Sequence, residues 1–141
     1  MKILLAADGS EHTRSAARNL VAHLNWFAER PVVHILHVRP PFPLPNAAAA
    51  VGKSAIDRYE QEEARQALAV AEEVLREAGI VFESHWCLGE PAREIADYAQ
   101  KNSFDLIAMG AHGHSALRNV AMGSVTTKVL ALAKQPVLIS R

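Results

Sequence analysis

The chain has 141 residues, of which 50% are hydrophobic, so it is long and apolar enough for one domain with a sizeable core. Basic and acidic residues balance at 15 each, which argues against a nucleic-acid partner and against a polybasic membrane surface. The one cysteine, Cys87, excludes an intrachain disulfide and is expected to be a small buried residue. The first apolar run is too short for a signal peptide, and no segment is long enough to cross a bilayer. These features predict a cytoplasmic protein.

Apolar runs and amphipathic stripes alternate along the first half of the chain. Residues 3–7 are continuously apolar, which predicts a strand buried on both faces. Ser10 is a candidate N-cap for a helix whose apolar stripe continues almost to Pro31. A second strand is predicted over 32–38. The proline-rich stretch 39–53 predicts a long mobile connection.

The second half repeats the alternation. A helical stripe covers 56–78, and residues 80–87 alternate with polar positions, which is typical of an edge strand. Glu90 and Pro91 begin a short helix. The remaining predicted elements are a strand over 105–109, a helix over 125–133 and a strand over 136–140.

The alternation of strands and helices predicts a single α/β domain over residues 1–141. We expect a doubly wound, five-stranded parallel sheet of strand order 3-2-1-4-5, with helices on both faces. In this order the winding direction reverses between strands 1 and 4, and ligands bind at such a switch point. Asp8 closes strand 1 and Gly110 follows strand 4, so the two would meet at one crevice.

A glycine motif lies between the fourth strand and the last helix. It reads Gly110-x2-Gly113-x9-Gly123-Ser124. Glycine allows close approach of backbone N–H groups to a ligand, and a helix N-terminus favours phosphate. The motif therefore predicts a polyphosphate site. The simpler alternative is that the glycines only form turns and that Ser124 is only an N-cap.

With Asp8 after strand 1, this motif resembles the ATP-binding branch of the universal stress protein family, and the resemblance covers the whole chain. It implies an ATP-type ligand, ADP or AMP being alternatives, with Mg²⁺ accompanying the phosphates. Ala7 and Asp8 would touch the nucleoside, Val38 would read the adenine edge through its backbone, and Met109 would lie along the ribose with Gly110. The phosphates would be held by Gly113, Gly123, Ser124 and Val125. The chain departs from better-known members in having Ala6-Ala7 before the aspartate.

Three functions are compatible with these residues. The first is a nucleotide-dependent regulator of the stress response, with at most slow ATP hydrolysis and an unknown protein partner. The second is an enzyme, a slow ATPase or a nucleotidyl transferase, although no clear general base is found. The third is a dimeric interaction module that binds no nucleotide.

Other signals are weaker. Lys53 ends a sequence that imitates a P-loop, but the leading glycine is replaced by Ala47. His112 and His114 lack an accompanying carboxylate or cysteine at ligand spacing, so no metal site is expected there. Arg118 either reaches a γ-phosphate or is solvated.

The apolar strand 136–140 at a sheet edge predicts a homodimer, which the family resemblance also implies.

Overall fold

The computed structural model describes residues 1–41, 52–114 and 122–141. Five strands and four helices alternate along these residues. They are β1 (Lys2–Ala6), α1 (Glu11–Ala22), β2 (Val32–Arg39), α2 (Lys53–Glu77), β3 (Phe82–Leu88), α3 (Pro91–Lys101), β4 (Leu106–Gly110), α4 (Ser124–Leu132) and β5 (Val137–Ser140).

The strands form one sheet of order β3-β2-β1-β4-β5, and all neighbouring pairs are parallel. This confirms the predicted strand order, including the position of the most polar strand, β3, at an edge. β1 and β4 are adjacent in the centre, where the winding direction reverses. Their carboxyl ends therefore open onto the same crevice.

Two apolar cores lie on opposite faces of the sheet. α1 and α2 cover the first core, where Leu20 and Leu75 pack on Ile3, Leu5 and Ile35 with no exposed surface. α3 and α4 cover the second core, which has the following fully or largely buried members: Leu4, Leu36, Ile95, Phe104, Ile107, Met109 and Val129. The central strands are apolar on both faces because both faces are covered.

The predicted end of the first helix needs correction. Ser10 is the N-cap of α1, as predicted, and its Oγ accepts a hydrogen bond from the Thr13 N–H at 3.3 Å. The helix nevertheless ends at Ala22, and a 3₁₀ turn follows. Leu24, in this 3₁₀ turn, and Phe27, just after it, still pack against the first core. Their spacing therefore extended the apolar stripe beyond the real helix.

The N-cap of α4 is Gly123, and Ser124 is the first helical residue, so the alternative in which Ser124 is only an N-cap is wrong. Gly123 has extended backbone angles, and its N–H donates to the Ala111 carbonyl at 2.8 Å. This bond turns the chain before the helix begins. Because the N-cap residue is a glycine, it supplies no side-chain capping bond to the start of α4.

Several expectations fall partly or wholly outside the described residues. Arg39 ends β2 and Lys53 begins α2, whereas most of the predicted mobile connection, 42–51, lies outside the described ranges, as does Arg118. Cys87 is half-buried beside the second core, and burial raises the pKa of its thiol. Among the described residues, no helix has the length and apolarity needed to span a bilayer.

Candidate functional site

A cavity of about 920 Å³ opens at the carboxyl ends of β1, β2 and β4. Its size is within the range of small-molecule sites. All nine residues predicted to form a binding site line this cavity. They are Ala7, Asp8, Val38, Met109, Gly110, Gly113, Gly123, Ser124 and Val125. The topology thus brings together segments that are more than 100 residues apart in the sequence.

Asp8 is held in place by the first turn of α1. Its Oδ1 accepts hydrogen bonds from the Ser10 N–H at 3.0 Å and from Thr13 Oγ1 at 2.8 Å. Thr13 Oγ1 also accepts from the Asp8 N–H at 3.0 Å, so backbone and side chain are both tied to the same hydroxyl. The orientation of the carboxylate is therefore fixed before any ligand binds.

The local environment keeps this carboxylate ionised. Burial raises the pKa of Asp8, but the hydrogen bonds from Ser10 and Thr13, together with the nearby His114 imidazole, outweigh it. The net pKa lies below the usual value for aspartate. At neutral pH, Asp8 is consequently an anionic hydrogen-bond acceptor and a weak base.

Two glycines of the motif are required by close approach inside the protein. A Cβ on Gly113 would collide with Asp8 Oδ2, and a Cβ on Gly110 would lie 2.7 Å from the Cβ of His12. Side chains at these positions would displace the Asp8 carboxylate or push α1 away from β4. Packing alone thus explains Gly110 and Gly113.

Gly123 is in a different situation, because it lies at the start of α4 where the helix meets the cavity. A Cβ there would stand 3.2 Å from the His112 Cα and 3.3 Å from the Ala111 oxygen. Ser124 and Val125, which follow it, line the cavity. The N-terminus of α4 therefore lies at the cavity wall, where the helix dipole favours an anion.

A buried threonine joins the start of α4 to the end of β4. Thr126 is 2% exposed, and its Oγ1 donates to the Gly110 carbonyl at 3.0 Å. The bond links the first glycine of the motif to the helix that follows the motif, across 16 residues. It holds the N-terminus of α4 close to the carboxyl end of β4.

Sequence reasoning missed two polar side chains that line the cavity from β2. His37 is buried, and its Nδ1 donates to the Ala7 carbonyl at 2.8 Å. Arg39, at the end of the same strand, pairs through Nε with Glu63 Oε2 at 2.8 Å and through Nη1 with Glu60 at 3.5 Å. The available signal was their spacing: residues 37 and 39 flank Val38 at the end of a strand whose carboxyl end faces the crevice.

The two loop histidines have structural contacts. His114 is exposed, and its Nε2 donates to the Asp8 carbonyl at 2.8 Å, which ties the glycine loop to the end of β1. His112 packs its ring 5.2 Å from that of His12. Both histidines line the cavity. Among the described residues, neither belongs to a cluster of three or more potential metal ligands.

The sequence profile of the universal stress protein family matches residues 1–141. The chain belongs to the universal stress protein family. Universal stress protein MJ0531 of Methanocaldococcus jannaschii is 32% identical over 139 residues, which span 98% of this chain and 80% of that protein. The family inferred from the glycine motif is thereby confirmed.

Solved universal stress protein structures share the fold. Universal stress protein UspA from Lactobacillus plantarum has a TM-score of 0.80 at 23% identity and covers 100% of this chain and 97% of its own. The universal stress protein from Archaeoglobus fulgidus in complex with dAMP has a TM-score of 0.69 at 23% identity, covering 100% and 98%. At this identity the likeness establishes the doubly wound architecture of the family.

Proposed function

We propose that this universal stress protein binds ATP, or ADP or AMP, in the cavity at the β1–β4 switch point, and that nucleotide occupancy regulates a partner interaction. The observation that carries the proposal is the N-terminus of α4, where the N-cap Gly123 has no side chain to act as a cap and the first helical residues line the cavity that also contains Asp8. A phosphate group accepts hydrogen bonds from the first N–H groups of a helix and complements the helix dipole. The Archaeoglobus fulgidus relative in complex with dAMP supports an adenine nucleotide.

The cavity residues fit the two ends of a nucleotide. Ala7, Val38 and Met109 give an apolar wall for a base and ribose, and the Asp8 carboxylate is an acceptor for a ribose hydroxyl. Gly113, Gly123, Ser124 and Val125 would hold the phosphates, mainly through backbone N–H groups. Mg²⁺ would accompany the phosphates and keep most of its water ligands.

The acidic groups of the cavity favour binding over rapid hydrolysis. Asp8 is held by Ser10 and Thr13 with a lowered pKa, so it is a poor proton acceptor for an attacking water at neutral pH. Glu63 is paired with Arg39 at 2.8 Å. We therefore propose hydrolysis that is slow at most. A regulator of this type would act in the cytoplasm, where nucleotides are available.

The proposal is tested by the nucleotide content of freshly purified protein. Denatured protein should release an adenine nucleotide that chromatography identifies, in a ratio approaching one per chain. Protein stripped of nucleotide should then bind ATP in a calorimetric titration. If the protein carries no nucleotide and shows no binding heat with ATP, ADP or AMP, the proposal is wrong and the family fold serves here as an interaction module.

A further inference from the structure

A second cluster of polar side chains lies away from the cavity, on the two strands at the polar edge of the sheet. His34 of β2 is paired in register with Glu83 of β3, and His85 follows two residues later on β3. Residues paired in a parallel ladder, and residues two apart on a strand, point to the same face. All three side chains therefore project from one face, the one covered by α3.

The donor atoms of these side chains form a compact triangle. His34 Nδ1 lies 3.3 Å from His85 Nε2 and 3.6 Å from Glu83 Oε2. His85 Nε2 lies 3.4 Å from Glu83 Oε2. Ligands bound at about 2.0–2.1 Å in a tetrahedral zinc site lie about 3.4 Å from one another, because the tetrahedral angle fixes that separation. The three atoms thus already occupy one face of such a tetrahedron.

We propose that His34 Nδ1, Glu83 Oε2 and His85 Nε2 bind one Zn²⁺ ion, with a fourth coordination position open to water. Two imidazoles and one carboxylate are a donor set that zinc uses. Ca²⁺ and Mg²⁺ prefer oxygen ligands, so the pair of histidines selects against them. Glu83 and His85 have 65% and 38% exposed side chains, which leaves a path for the ion and for the water.

The surroundings hold the innermost ligand in position. The side chain of His34 is 13% exposed, and its ring packs edge-on against Phe104 at 5.0 Å between centroids. A neighbouring cation, Lys2, directs its ammonium to the Asn102 carbonyl at 2.9 Å and over the Phe104 ring. Its charge lowers the zinc affinity but is already engaged elsewhere. Tyr98 of α3 packs beside His85.

The expected consequence is structural. His34 is on β2, whereas Glu83 and His85 are on the edge strand β3, so the ion would link the edge strand to its neighbour. None of these three residues is among those that line the cavity. Zinc binding at this site should therefore be independent of nucleotide binding.

The test is a calorimetric titration of Zn²⁺ into the full chain, stripped of metal with a chelator and free of nucleotide. We expect one Zn²⁺ per chain at this site. His85→Ala should weaken its binding about 100-fold or more, because losing even an outer-shell partner typically costs 10–100-fold. Glu83→Gln should weaken it at least about tenfold. His23→Ala removes an imidazole on the opposite face of the sheet and should leave the affinity unchanged.

Co²⁺ provides a second readout, because it gives strong visible absorption in four-coordinate sites. Wild-type protein and His23→Ala should develop this absorption, and His85→Ala should not. Glu83 is exposed, so Glu83→Gln reports on zinc even if His85→Ala folds poorly. The proposal is overturned if wild-type protein binds no Zn²⁺, or if Glu83→Gln and a folded His85→Ala bind it as wild type does. In either case the cluster is a hydrogen-bonded network alone.

Discussion

Asp8 stabilises the fold through the hydrogen bonds that its carboxylate accepts from Ser10 and Thr13. We predict that Asp8→Asn lowers the free energy of unfolding by about 1–2 kcal/mol near pH 7, because the amide replaces charge-assisted bonds with weaker ones. Urea unfolding, followed by tryptophan fluorescence, measures this difference for the wild type and the variant.

The same pair of proteins should differ in pH dependence. The pKa of Asp8 in the folded state lies below its unfolded value of about 3.9, so the stabilisation is fully present above that value. It is lost as the pH falls through the folded-state pKa. The stability gap between wild type and Asp8→Asn should thus shrink in acid. A gap that stays constant from about pH 7 to about pH 2 would contradict this assignment.

At the residue scale, the glycine motif and the family resemblance that it supports predicted nine residues that the structure places around one cavity. The positions of His37 and Arg39 on either side of Val38 could have indicated that they lie near the cavity, but their contacts with Ala7 and Glu63 are tertiary and could not be predicted. The His34–Glu83–His85 cluster was missed for a related reason. Its geometry depends on the register between β2 and β3, and register is a tertiary property.

Thr126 links α4 to β4, and its neighbour Thr127 provides a matched control. Thr126→Val leaves the buried Gly110 carbonyl without this donor, so we predict a loss of about 1–2 kcal/mol in the free energy of unfolding. Thr127 is exposed and donates to the Gly123 carbonyl at 3.0 Å. Thr127→Val should change stability by less than about 0.5 kcal/mol.

Nucleotide binding gives a second comparison between these variants. Loss of the Thr126 bond should let the N-terminus of α4 shift, so Thr126→Val should bind ATP more weakly than Thr127→Val. Calorimetric titration of both variants, checked for folding by circular dichroism, measures the difference. Equal affinities would show that the link between α4 and β4 does not position the phosphate site.

At the scale of elements, strands and helices were predictable, but some of their ends were not. The apolar stripe continued past Ala22 because Leu24 and Phe27 reach the first core from a 3₁₀ turn and the loop after it. Ser124 has the side chain of a good N-cap, yet the bond from the Gly123 N–H to Ala111 fixes the cap one residue earlier. Packing and loop contacts decide such limits.

At the scale of the molecule, the strand order followed from the sequence because few right-handed arrangements can bury five strands of this polarity. β3 and β5 are left as the two edges of the sheet. β5 is short, and its residues Val137, Leu138 and Ile139 are half-buried in the single chain. We propose that two chains pair through residues 136–140 to form a homodimer.

The dimer proposal is tested by a charged substitution on this edge. Ile139→Glu should shift sedimentation at micromolar concentration toward the monomer, because a buried carboxylate in the interface is costly. Leu138 is a poorer position for this change, since it packs against the first core. Val81→Glu, at an 88% exposed position beside the opposite edge, should leave the dimer intact. A wild-type protein that sediments as a monomer would refute the proposal.

The central claim is that backbone N–H groups at the start of α4 hold the phosphates of a nucleotide. The most direct measurement is the calorimetric affinity for ATP of Gly123→Val compared with that of the wild type. A side chain at residue 123 crowds His112 and Ala111 and disturbs these donors. Charge-assisted hydrogen bonds to the phosphates contribute about 2 kcal/mol to binding. If Gly123→Val loses them and remains folded, its affinity for ATP should be at least about 30-fold weaker than that of the wild type. An unchanged affinity would contradict the claim.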